Sequence, residues 1–219
     1  MRIKFLLVSE GPSERHLVPI LETLCVRAGA EEAMGDAPDL SRLPQRIGRC
    51  IESQVQAALQ LGGFCNLLFV HKDADSRNHL GVQTSIVAKL ASVVNCPRSI
   101  CIIPVQELEA WLMTNEQLIR EVVGNARGRN HLGLPTIKQI EKTSSPKELL
   151  KQALMQASGE KGRRLRRIAN DFPHYRALLL QRLLLDGPIN QLPAWQRLTN
   201  DIKQAVHQLS NKKKKSASA

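Results

Sequence analysis

The chain has 219 residues, 42% hydrophobic and 23% charged, which is long enough and apolar enough for a globular core and unlike a disordered chain. Aromatics make up only 3%, which argues against modules that read nucleic acid by stacking bases on rows of aromatic rings. The formal charge is +11, and the terminal Lys212–Lys215 run carries only part of it, so the body is basic and suits a polyanionic partner, nucleic acid or an anionic surface.

Ile3–Val8 is a continuous apolar run, the pattern of a strand buried on both faces. Gly11-Pro12-Ser13 punctuates the chain, and Leu17, Ile20, Leu21 and Leu24 at helical spacing predict a helix to about Ala28. Gly29–Pro44 is polar and holds Gly, Pro and Asp; it has room for a short edge strand, but no position is assigned. Ile47, Ile51, Val55, Ala58 and Leu59 predict a second helix, ended by Gly62-Gly63. Asn66–Val70 predicts a second buried strand, which runs directly into His71-Lys72-Asp73-Ala74-Asp75. Val82–Val94 predicts a third helix and Ser99–Val105 a third strand, followed by Glu107-Leu108-Glu109-Ala110-Trp111-Leu112. Strands alternating with helices imply parallel β-α-β units.

After about Asn115 the strand signals stop. Gly124–Leu134 is a loop rich in Arg, Asn and Gly, and Ser145-Pro146-Lys147-Glu148 has capping-box spacing with Pro at the first helical position. Arg163–Leu185 and Pro193–Leu209 predict two further helices. The expected layout is an α/β metal-binding domain over residues 1–115, an α-helical extension over 116–210 and a disordered basic tail over 211–219. The five cysteines (Cys25, Cys50, Cys65, Cys96, Cys101) contain no C-x-x-C, and are read as reduced core residues of a cytoplasmic protein. No signal peptide or membrane span is expected, since no apolar run approaches about 20 residues.

Three acidic clusters each follow a buried strand directly: Glu10 with Glu14, Asp73 with Asp75, and Glu107 with Glu109. In an open parallel sheet all three then lie at the same carboxyl edge, where such folds bind ligands. Carboxylates held close together repel unless protonated or bridged by a cation. Hard oxygen donors without Cys or His select Mg²⁺ or Mn²⁺ over zinc. Gly11 leaves room for close backbone approach or a positive φ, and Glu14 sits in a first helical turn, where the helix dipole favours an anion.

Val8-Ser9-Glu10-Gly11-Pro12-Ser13-Glu14 resembles the first motif of Toprim domains, and Phe69-Val70-His71-Lys72-Asp73-Ala74-Asp75 resembles their second, the D-x-D. The E-G-x-[ST]-E form is closest to the OLD-like nucleases. Val105-Gln106-Glu107-Leu108-Glu109-Ala110-Trp111-Leu112, with Ser144-Ser145-Pro146-Lys147, is similar to the bacterial "domain of unknown function 4276", a Toprim-like family often encoded beside ATPases. The resemblance implies a Toprim-like, mostly parallel sheet sandwiched by helices. It makes Glu10 a metal ligand or acid–base group and Asp73 and Asp75 metal ligands. Glu14 and one of Glu107 or Glu109 complete a second metal position, and Lys147, or alternatively Lys72, is the assisting lysine. It further implies a separate ATPase partner and a setting in anti-phage defence.

The activity expected from these readings is Mg²⁺- or Mn²⁺-dependent hydrolysis of DNA or RNA. Two ions about 4 Å apart activate water and stabilise the leaving oxygen of a phosphodiester. Arg127, Arg129, Arg163, Arg164, Arg166 and Arg167 are the candidates for holding the polyanion, by backbone rather than base contacts. Two alternatives stay open: a non-catalytic module that binds nucleic acid or a partner, and a metal-dependent glycosyl- or phosphotransferase. Neither a P-loop nor a G-x-S-x-G elbow is present, and Tyr175, the sole tyrosine, lies in a predicted apolar helix.

Overall fold

The computed structural model describes residues 1–9, 11–44, 47–48, 50–74 and 78–217, with backbone only at 12 and 213–217. The chain is α/β. Four parallel strands, β1 (Arg2–Val8), β2 (Glu32–Asp36), β3 (Leu67–His71) and β4 (Arg98–Ile102), form one sheet in the order β2-β1-β3-β4, flanked by helices. The two central strands are the apolar runs the sequence marks: every residue of β3 is buried, and Phe5 of β1 meets Phe69 of β3 edge to face at 5.0 Å.

β2 is the edge strand that Gly29–Pro44 had room for. Its residues alternate between exposed and half-buried, so no continuous apolar run announces it. Gly35 lets it pair with β1: a Cβ there would stand 2.2 Å from the Phe5 ring. Glu22 accepts the Gly35 N–H at 2.8 Å and so occupies one donor of the open edge.

Two compact units divide the chain differently from the expected boundary at 115. The first comprises Met1–Lys72, Leu80–Ile103 and Arg197–Ala219, the second Asp73–His79 and Pro104–Gln196. In the first, helices α1 (Val18–Arg27), α2 (Ile51–Gly62) and α3 (His79–Leu90) accompany the sheet. The second holds α4 (Glu109–Leu112), α5 (Glu116–Val122), α6 (Ile137–Ile140), α7 (Pro146–Ser158), α8 (Gly162–Asn170) and α9 (Phe172–Gln181), around a core that includes Trp111 and Trp195 in a T-shaped pair at 5.0 Å.

The last helix, α10 (Pro193–Ala217), runs across the expected extension over 116–210 and into the expected tail over 211–219. Its residues from Arg197 onward belong to the sheet unit, where Leu198, Ile202, Ala205 and Val206 are buried and Arg98 of β4 donates to Gln208. Periodicity reveals that such a helix is amphipathic but not which core receives it. The helix also continues through 211–217, part of the tail expected to be disordered. Lysine is a good helix former, and its charge suits the negative end of the helix dipole.

Two smaller differences have local causes. The single helix expected over Arg163–Leu185 is two, broken at Asp171 because Pro173 lacks an N–H and fits only a first turn. Ser145 makes no side-chain cap on α7; Glu107 accepts the Lys147 N–H there instead.

Candidate functional site

The strand order fixes where a ligand is expected. From β1 the chain passes outward to β2, then crosses back to β3 on the other flank of β1. The switch point of the sheet therefore lies between β1 and β3, and parallel α/β sheets bind ligands outside the carboxyl ends of the strands at such a point. Val8, the last residue of β1, pairs with Val70, one before the last of β3, so the two strand ends lie within one residue of each other. Ser9-Glu10-Gly11 leaves one and Lys72-Asp73 leaves the other. Glu10 and Asp75 lie outside the described residues.

After β1 the chain makes a 3-10 turn, Pro12–Leu17. Glu14 in that turn is buried at 7% exposure, and its carboxylate accepts from the Ser13 hydroxyl at 3.1 Å. Gly11 is extended, at φ −133 and ψ 160, so of its two expected uses close approach is the one realised. A Cβ on Gly11 would stand 2.7 Å from Glu14 Oε2. The Ser9 hydroxyl donates to the Gly11 carbonyl at 2.9 Å and tightens the same turn.

In the second unit, the loop after β4 holds Glu107 and meets Asp73 and the Lys147 backbone. Asp73 Oδ1 accepts the Leu108 N–H at 3.0 Å, and the Ala74 N–H donates to the Pro104 carbonyl at 3.3 Å. Glu107 Oε2 accepts the Lys147 N–H at 2.9 Å. That carboxylate caps α7 where Ser145 does not, so Glu107 serves the positive end of a helix dipole. Gln106, between these contacts, holds a φ of 65 that a non-glycine residue adopts only when its surroundings enforce it.

Glu109 has a different role. It is buried at 4% exposure and pairs with Arg176 Nε at 2.7 Å, so its charge is already matched by a guanidinium. Lys147 is exposed and meets Glu107 through its backbone; Lys72 is half-buried and its N–H donates to the Ile102 carbonyl at 3.1 Å. Among the described residues no group of three or more His, Cys, Asp or Glu is placed to hold a metal ion, and two of the six expected ligands lie outside that set.

The basic candidates converge although the sequence separates them. Arg127 and Arg129 are exposed on a loop tied to the end of α7 by Asn125, which donates to the Ala157 carbonyl at 2.7 Å, and by Asn130, which donates to the Gln156 carbonyl at 3.1 Å. α8 starts just beyond that end and exposes Arg163, Arg164, Arg166 and Arg167, while Leu165 and Ile168 are half-buried. Of these six, Arg164 pairs with an acid among the described residues, Glu160 at 3.6 Å.

Sequence reasoning missed a cavity of about 540 Å³ at the carboxyl ends of β1 and β2. Ser9, Gly11, Arg15, Asp39, Ser41 and Gln54 supply its polar lining, with aliphatic walls between them. The Ser41 hydroxyl and amide hold the exposed Asp39 carboxyl below its ordinary range. The available signal was Gln54 and Ala58, one helical turn apart on α2, where a small side chain leaves space beside a polar one.

The cysteines need one correction. Burial pushes the thiols of Cys25 and Cys101 up to about 12 and about 11, as expected of core residues. Cys50 is exposed at the N-cap of α2, where hydrogen bonding to Ser53 lowers its thiol below the ordinary value. Its flanking residues, Arg49 and Ile51, carried no sign of that exposure.

Comparison of the chain with protein-family models, with curated proteins and with solved structures finds no match. Among the described residues no helix is long and apolar enough to cross a membrane.

Proposed function

We propose that this chain is a divalent-metal-dependent nuclease that hydrolyses phosphodiester bonds of DNA or RNA. The observation that carries the reading is the switch point: acid-bearing segments leave β1 and β3 side by side at the edge where a parallel sheet takes its ligand. The donor set is made of carboxylates, which fits Mg²⁺ or Mn²⁺. The proposed ligands are Glu10, Glu14, Asp73, Asp75 and Glu107, all on segments that follow β1, β3 and β4. Glu109 is set aside because Arg176 already neutralises it. When bound, the ions supply an activated water and charge stabilisation at the leaving oxygen.

The chain's own residues do the rest. Glu10 serves as ligand or as the group that takes the proton of the attacking water. Lys72 or Lys147 offers an ammonium to the developing negative charge. The arginines at the end of α7 and on α8 hold the polyanion by its phosphates. The resemblance to Toprim domains and OLD-like nucleases supports the same reading and adds a cytoplasmic setting in anti-phage defence with a separate ATPase.

The test is incubation of the purified chain with plasmid, single-stranded DNA and RNA in Mg²⁺, Mn²⁺ or EDTA. Cleavage is expected with metal and is lost in Glu10→Ala and Asp73→Ala. Binding without cleavage under every condition, with or without a partner ATPase, would replace the nuclease by a non-catalytic module; sugar-nucleotide turnover would replace it by a transferase.

A further inference from the structure

We infer that the cavity beside β1 receives one unpaired nucleotide, so that the substrate is a single strand or a frayed end rather than an intact duplex. The inference rests on the nuclease reading and names its substrate class.

Hydrolysis of a phosphodiester needs only backbone contacts, and a flat basic surface meets that need. This cavity goes further. Its volume, about 540 Å³, lies within the range of sites that enclose a small molecule. Leu7, Val8, Ala37, Pro38 and Ala58 give it aliphatic walls, and polar groups stand at a few defined positions. One of them is the half-buried amide of Gln54, whose side chain has no hydrogen-bond partner among the described residues. An amide presents a donor and an acceptor side by side, the pair that matches the edge of a nucleobase. Exposed Arg15 lines the same space, and a guanidinium plane stacks on a base or pairs with a phosphate. The few aromatics in this chain leave such a guanidinium and the aliphatic walls as the stacking surfaces.

Location ties the cavity to the proposed chemistry. Ser9 and Gly11, which line it, flank Glu10 at the end of β1. A nucleotide seated in this cavity against Gln54 therefore also meets the segment that leaves β1, Ser9 and Gly11. A second cavity, of about 400 Å³, shares Leu40, Ser41 and Gln54 with the first. Adjoining cavities suit successive nucleotides of one strand. In a duplex each base is stacked and paired, and extruding one costs its stacking and pairing, so a cavity of this kind selects against duplex.

The experiment is fluorescence anisotropy in EDTA, so that binding is read without cleavage, with a short labelled single strand and a blunt duplex of equal length. The single strand is expected to bind about tenfold more tightly than the duplex. Gln54→Ala, and separately Ser41→Phe, which fills the space from an exposed position, each weaken single-strand binding about tenfold and leave duplex binding unchanged. Thermal melts check that both variants fold. Single-strand binding within about twofold of the parent in both folded variants overturns the inference, as does equal loss on both substrates. Displacement of the labelled strand by adenosine monophosphate as readily as by unlabelled strand also overturns it, in favour of a free nucleotide. Cleavage assays separate this inference from the reading beneath it. Pocket-dependent single-strand binding with no cleavage in any metal removes the nuclease and upholds the cavity's ligand. Duplex cleavage as fast as single-strand cleavage, unaltered in both variants, does the reverse.

Discussion

Glu109 and Arg176 show what one residue's environment decides. Two glutamates stand two positions apart after β4, and the sequence offers both as ligands. Glu107 is half-buried and holds the α7 N-terminus, whereas Glu109 is sealed against a guanidinium, with side-chain exposures of 6% and 9% for the pair. Breaking such a pair strands a buried charge, while replacing both partners by apolar groups is often neutral. Arg176→Met is therefore expected to cost about 3–5 kcal/mol in urea unfolding, and Glu109→Leu with Arg176→Met to recover most of that loss. A single variant within about 0.5 kcal/mol of the parent would mean that water already screens the pair. The partner was illegible beforehand because it lies 67 residues away, and no local pattern joins the two.

Among the elements, α8 carries the densest charge, with four exposed arginines within nine residues. Each arginine that meets a phosphate steepens the dependence of log affinity on log salt by about 0.7 to 0.9. Replacing Arg163, Arg164, Arg166 and Arg167 by glutamine is therefore expected to flatten that slope by about three, measured by anisotropy across a salt series. An unchanged slope would leave α8 a solvated face with no part in binding. Its basic character was plain in the sequence; its convergence with Arg127 and Arg129 was not, because that depends on Asn125 and Asn130 reaching the α7 carbonyls. The sheet divides the same way. β1, β3 and β4 were legible because burial on the sheet leaves apolar runs, and the acids after them were legible because strand ends are. β2 was not, since an edge strand with Gly35 and Asp36 has no such run.

At the scale of the whole molecule the question is what the sheet requires to stand. A domain ending at residue 115, as periodicity suggests, would omit α10. Yet α10 buries Leu198, Ile202, Ala205 and Val206 in the sheet unit and answers Arg98 of β4 through Gln208. Asp201 on the same helix is partly buried, its carboxyl raised by desolvation and drawn back down by Arg197 and Arg98. Burying a Leu or Ile side chain is worth about 1.5–3 kcal/mol, and a whole domain retains only about 5–15 kcal/mol. Removing Arg197 onward should therefore consume most of the margin of the sheet unit, which carries β1 and the turn with Glu14. A chain ending at Gln196 is expected to lose its cooperative thermal transition for the sheet, followed by far-UV circular dichroism. Ending it at Asn211 instead removes only the lysine run and following residues, and is expected to shift stability by no more than about 0.5 kcal/mol. If the shorter chain melted like the longer one, α10 would be an accessory to the sheet. If it does not, the turn after β1 that carries Glu14 depends for its placement on a helix that follows it by most of the length of the chain.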